Sequence, residues 1–142
     1  MKKLLTVGLT CLATSGLAQE IMTYPFDGDL DDADFVVSSA IQDAGLVIDY
    51  VSNVGAMLAR TGADLGLGAS PVGEGAKTYL FCSATVSREV MEVDPMNIAY
   101  CPYAVFIAEF EGQTVVGHRT YPGDSMEPVN RLLIEIATSA TE

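Results

Sequence analysis

Residues 103–120 read Tyr-Ala-Val-Phe-Ile-Ala-Glu-Phe, then Glu-Gly, then Gln-Thr-Val-Val-Gly-His-Arg-Thr. Two apolar runs, Tyr103 to Phe110 and Gln113 to Thr120, flank the dipeptide Glu111-Gly112, which reads as a β-hairpin turn. A two-residue turn sets the register. His118 then faces Val105, on the same side as Ile107 and Val116. The pair must be antiparallel, and the rest of the chain has to supply its neighbours and its cover.

Downstream, Val129, Leu132, Leu133 and Ile136 recur at helical spacing after Ser125 and Pro128, which predicts a C-terminal helix over about 126–139. Upstream, Lys77 to Cys82 reads as a strand, and Thr85 to Val93 as a short helix ended by Asp94-Pro95. Gly66 to Ala76 holds four glycines and Pro71 and reads as a loop. Before it, Asn53 can cap a helix bearing Val54, Met57, Leu58, Thr61 and Leu65 on one side. Leu46 to Val51 reads as a strand. Phe35, Val36, Val37, Ala40, Ile41 and Ala44 predict a helix over about 30–44, with aspartates at its start and Gly45 as its stop. Ile21 to Tyr24 forms a short first strand. The order β-α-β-α-β-α-β-β-α predicts an α+β domain with a mixed sheet and helices on one face.

The chain has 142 residues, 49% of them hydrophobic and 18% charged, which suits one globular domain. Residues 1–18 carry the pattern of a bacterial secretory signal: Lys2-Lys3, an uncharged run from Leu4 to Leu17, and Gly16-Leu17-Ala18 before the cut. The run is shorter than the roughly 20 residues a membrane span needs, so no membrane anchor is expected after cleavage. The expected location is the periplasm, which is oxidising, and the expected domain is 19–142. Cleavage would leave 5 basic side chains against 19 acidic ones, a formal charge of −14 over 124 residues. Such a surface repels phosphate backbones and argues against nucleic-acid binding.

The exported chain keeps two cysteines, Cys82 and Cys101. Three readings stay open on the residues alone. A structural disulfide would close a loop of about 20 residues and contribute about 3 kcal/mol. Two unpaired thiols would pack as small apolar groups. A functional pair would exchange electrons or hold a soft ion or thiol ligand, with Met91 and Met96 as thioether candidates.

Other chemistry is poorly supported. Gly68 to Val72 lacks the final glycine of a nucleophile elbow, and no glycine directly precedes Lys77 as a phosphate loop requires. The aspartates at 27, 29, 31, 32 and 34 fail a calcium loop counted from Asp27, which meets Asp32 and Ser38 where Gly and Glu belong. No motif requires a cofactor, and no catalytic residue is assigned. His118 is the sole histidine. Tyr79 lies near Cys82, and Tyr100 and Tyr103 flank Cys101-Pro102, so these aromatics line a pocket or build the core.

Tyr79-Leu80-Phe81-Cys82-Ser83-Ala84, Val93-Asp94-Pro95 and Tyr100-Cys101-Pro102-Tyr103 together resemble exported members of the DUF302 family, with the likeness running over roughly 21–121. The resemblance implies a curved sheet with helices on one side, similar to the TATA-binding protein, and a homodimer. It implies no activity, because the family is a domain of unknown function. Other members often carry Cys-Asn-Pro and Leu-Pro-Cys, whereas here Cys101 precedes its proline. A one-residue shift beside a strand turns a side chain to the other face, so the two forms need not share a site. The functional expectation is a periplasmic accessory protein that binds a small molecule or soft metal ion. Its site would draw on Cys82, Cys101, Tyr79, Tyr100, Tyr103 and His118. The alternative is a thiol-redox or sulfur-handling enzyme using the same cysteines.

Overall fold

A computed structural model describes residues 20–142. The signal sequence expected at 1–18 lies outside the described residues. Five strands and four helices follow one another as β1 (Ile21–Pro25), α1 (Leu30–Asp43), β2 (Ile48–Ser52), α2 (Val54–Leu65), β3 (Lys77–Phe81), α3 (Ala84–Val93), β4 (Tyr103–Phe110), β5 (Gln113–Arg119) and α4 (Glu127–Ser139). Two 3₁₀ segments, Pro95–Tyr100 and Asp124–Met126, are additions to the expected set.

The hairpin forms as its dipeptide requires. Glu111 (φ 52°) and Gly112 (φ 81°) both take the left-handed conformation of a tight turn, and Phe110 pairs with Gln113. Val105 faces His118 and Ile107 faces Val116. The sheet then grows outward in the order β1-β5-β4-β3-β2.

Every neighbouring pair is antiparallel, which corrects the expected mixed sheet. A lone helix between two strands carries the chain to the opposite end and yields parallel neighbours. Here α2 and α3, which join neighbouring strands, are each followed by a segment that brings the chain back, while α1 crosses from β1 at one edge to β2 at the other. The Gly55 amide, in the first turn of α2, donates to the Ala76 carbonyl just before β3, at 2.9 Å. The end of β3 and the start of β4 are likewise held together, with 6.6 Å between the Cα atoms of Cys82 and Cys101.

Local chemistry sets the helix ends. Asp29 caps α1, its Oδ1 accepting from the Asp31 and Asp32 amides at 2.9 Å each. Ser83 caps α3 through the Val86 amide, and Asp94 caps the following 3₁₀ segment through Met96. Asn53 precedes α2 without a side-chain cap bond, and Ser125 does not cap α4. The Ser125 hydroxyl instead accepts from Asn97 Nδ2 at 3.2 Å, tying the segment before α4 to the one after α3.

The inner face of the sheet is the core. Tyr79 and Phe81 of β3, Tyr103, Val105 and Ile107 of β4, and Val116 and His118 of β5 are buried there. They meet Ala33, Val37 and Ile41 of α1, Val90 of α3, and Val129, Leu133 and Ile136 of α4. At ~25 cal/mol per Å², each fully buried aliphatic side chain contributes about 1.5–3 kcal/mol. Packed chiefly on β3, α2 buries little beyond Gly55 and Gly62.

The outer face presents Thr78, Leu80, Ala104, Phe106, Ala108, Val115, Gly117 and Arg119 by strand alternation. Phe106 lies across Gly117, its cross-strand partner. A Cβ at Gly117 would stand 2.7 Å from Phe106 Cε1 and 2.9 Å from the Met22 carbonyl oxygen, so both the ring and β1 hold that position empty. Gly117→Ala is therefore expected to lower stability by about 1–3 kcal/mol, read from the shift in urea midpoint. An unchanged midpoint would mean the ring and strand yield freely.

Candidate functional site

Cys82 and Cys101 form a disulfide, separated by 19 residues in sequence. The sheet register places them: Phe81 pairs with Tyr103, so the residues just beyond each strand come together at one end. Of the three readings open in the sequence, the pair is a disulfide and neither sulfur is a free thiol. Both residues are half-buried.

Two hollows flank this bridge. The one at Cys101 opens on the outer face and has a volume of about 400 Å³. Thr78, Leu80, Ala104 and Arg119 line it from β3, β4 and β5, while Tyr100 and Tyr121 contribute from beyond the strand ends. The one at Cys82 holds about 450 Å³ among Leu46, Val47, Asp49, Ser83 and Thr85.

Tyr100 is the one predicted aromatic that reaches the hollow. Its ring centroid lies 5.1 Å from that of Tyr121, which in turn lies 6.0 Å from that of Tyr103. Asn130 of α4 pins Tyr121, accepting from its amide at 2.8 Å and donating to its carbonyl at 2.9 Å. Burial pushes the Tyr121 phenol up, and the nearby Arg119 charge partly offsets this. At neutral pH Tyr121 is therefore a neutral hydroxyl.

Tyr79, Tyr103 and His118 are fully buried on the inner face and do not reach either hollow. Tyr79 donates its hydroxyl proton to Asp34 Oδ1 at 2.6 Å, and Lys77 Nζ meets Asp34 Oδ2 at 2.6 Å. Burial alone would push the Asp34 carboxyl up. The hydrogen bonds from Lys77 and Tyr79, with the lysine charge, outweigh it and leave the carboxyl lowered. The phenol of Tyr79 is raised in turn, by burial first and then by Asp34. Sequence reading missed this trio, although Lys77 and Tyr79 share a face by alternation. It is a satisfied polar link between α1 and β3.

His118 is a core group too. Nδ1 lies 3.0 Å from the Arg119 carbonyl, which can only accept, so Nδ1 carries the proton. Nε2 is then left to accept from the Tyr24 hydroxyl at 3.4 Å. Two of the aspartates singled out as a calcium candidate are otherwise engaged: Asp29 as a cap and Asp34 with Lys77. Among the described residues no group of three or more His, Cys, Asp or Glu could hold a metal ion. Met91 packs against the core, while Met96 stands exposed.

Arg119, Tyr121, Leu80 and Thr78 escaped the sequence reading. The hairpin register does carry the signal for Arg119, which shares the parity of Gly117, opposite to that of His118.

No family model matches the chain, and no curated protein does. Among solved structures, it is similar to an uncharacterized conserved DUF302 protein from Bacillus stearothermophilus, with a TM-score of 0.70 and 11% sequence identity. The match covers 84% of this chain and 97% of that one. The fold is thus that of the DUF302 structure: an α+β arrangement on a five-stranded antiparallel sheet.

Two outcomes follow from the bridge and the histidine. Replacing both Cys82 and Cys101 by Ser should cost about 3 kcal/mol in urea unfolding, and reduction of the native protein should cost the same. A loss well below 1 kcal/mol would show that the loop is held without its bond. Burial pulls the folded-state pKa of His118 below its ordinary value, only partly offset by the bond to the Arg119 carbonyl. Its contribution is full above an unfolded value of about 6.5 and is lost as pH falls toward the folded value. Unfolding free energy should therefore drop from pH 7 to pH 5, and His118→Gln should flatten that slope. An equal slope in the variant would assign the pH dependence elsewhere.

Proposed function

We propose that this chain is an exported DUF302-type domain that binds a small molecule without transforming it. The site is the outer-face hollow beside Cys101. The observation that carries the reading is the hollow's build. Its volume of about 400 Å³ falls within the roughly 300–1,000 Å³ usual for small-molecule sites. Its lining mixes apolar Leu80, Ala104 and Pro102 with the hydroxyl-bearing Thr78, Tyr100 and Tyr121. No catalytic constellation of base and nucleophile converges there.

The role of the disulfide in this reading is to hold a wall. It ties the end of the 3₁₀ segment that carries Ala99 and Tyr100 to the end of β3, so the rim is fixed before a ligand arrives. Soft-cation binding needs thiolates, and both sulfurs are already bonded to each other. That ranks a soft metal ion behind a ligand held by the hollow, while the closed bridge is the oxidised form from which a thiol-exchange reading would start. A periplasmic location supports the same picture, since an oxidising compartment keeps the bridge closed.

The test is a native mass spectrum of the protein exported by a bacterium, wild type beside Ala104→Trp. Ala104 faces the hollow from β4, so an indole there fills it while leaving the inner core untouched. The expected result is a chain starting at Gln19, lighter than the dithiol by the two thiol hydrogens. It should carry a small-molecule adduct that Ala104→Trp loses while keeping its thermal midpoint. A wild type that is consistently empty, or an adduct retained by the variant, would overturn the assignment to this hollow.

A further inference from the structure

We infer that the hollow beside Cys101 takes an anion, a small carboxylate with a flat apolar body, and that Arg119 is the residue that holds it. The inference rests on the ligand-binding reading above and names the chemistry of its ligand.

The argument starts from scarcity. The expected exported chain has 5 basic side chains against 19 acidic ones. Among the described residues, Lys77 is committed to Asp34, and Arg88 pairs with Glu92 one helical turn away. Arg60 and Arg131 line neither hollow beside the disulfide. Arg119 makes no ion pair among the described residues, and it is the single charged residue lining its hollow.

The surroundings are as selective as the charge. The hollow's lining contains no Asp or Glu, although acidic residues make up most of the chain's charge. The contrast is sharpest with the neighbouring hollow of about 570 Å³, which shares Tyr121 but is lined by Glu20, Asp124 and Glu127 and would repel an anion. A guanidinium at a concave, acid-free spot on a strongly acidic surface is the place where a carboxylate meets attraction instead of repulsion. Guanidinium binds carboxylate through two parallel hydrogen bonds, a geometry that an ammonium cannot reproduce.

The rest of the lining fixes the body of the ligand. Leu80 and Ala104 offer an apolar floor on adjacent strands, and the tilted Tyr100–Tyr121 pair offers an aromatic wall. The hydroxyl groups of Tyr100 and Thr78, both partly exposed at the hollow, can donate to the second carboxylate lone pairs without adding charge. An aromatic carboxylate satisfies all three features.

Benzoate and its neutral isostere benzamide probe this directly, by titration into the ¹⁵N-labelled oxidised protein with amide shifts recorded. Benzoate should shift the amides of Leu80, Ala104, Arg119 and Tyr121. Benzamide should bind about tenfold more weakly. Arg119→Gln should remove the preference for benzoate, and Arg119→Lys should restore it only in part. Because Arg119 is exposed at a strand end, both variants should keep the remaining spectrum unchanged. Equal affinity for both probes, unaltered by Arg119→Gln, would overturn the anion inference and leave a neutral-ligand hollow standing. No shift of any hollow amide with either probe would likewise overturn the carboxylate inference, while the ligand-binding reading falls only if the exported wild type is empty or Ala104→Trp keeps the adduct.

Discussion

The two-residue turn at Glu111-Gly112 is the constraint on which the rest of the molecule depends. It permits one register between β4 and β5, and that register decides which side chains see the helices. With Val105 opposite His118, the sole histidine is buried and Arg119, its neighbour, is turned to the other surface. A slip of one residue would exchange them, placing a guanidinium in the core and an imidazole outside. The separation between a dry inner face and a usable outer face is therefore a property of the hairpin. The helices only cover what it has already sorted.

The second organising feature is that the excursions through α2 and α3 return to the strand end they left. A tight backbone contact at Gly55 closes the first, and a covalent bond between Cys82 and Cys101 closes the second. The second closure sits where β3, β4 and the preceding 3₁₀ segment converge, with a hollow on either side of it. Geometry and stability coincide there: the bond that limits the unfolded chain also sets the rim of the proposed site.

Most of the fold was legible because its signals are local. The dipeptide turn, the aspartates at the start of α1, the Asp94-Pro95 stop and the glycine after α1 each act within a few residues. The antiparallel return of each excursion was not legible, since it depends on 3₁₀ and glycine-rich segments that have no period to read. The candidate site was half legible. Cysteine count and compartment pointed to the bridge, and the neighbouring aromatics to Tyr100. Their proximity in sequence could not separate Tyr79 and Tyr103, which point inward, from Tyr100, which lies beyond the strand. Arg119 and Tyr121 were missed because the contacts that define their role come from β3 and α4, far away along the chain.

The first strand has a partner that is made last among the strands. Ile21 to Pro25 pair only with β5, Ile21 lying opposite Arg119. During synthesis this segment has no ladder to join until the hairpin has been completed, and contacts of such long sequence separation slow folding. A chain interrupted anywhere before β5 leaves its leading strand unpaired and its first helix without the β5 and α4 surfaces against which it packs. The sheet thus gains its fifth strand only after residue 119 has been made, and shorter products keep their leading segment unpaired and exposed to proteolysis.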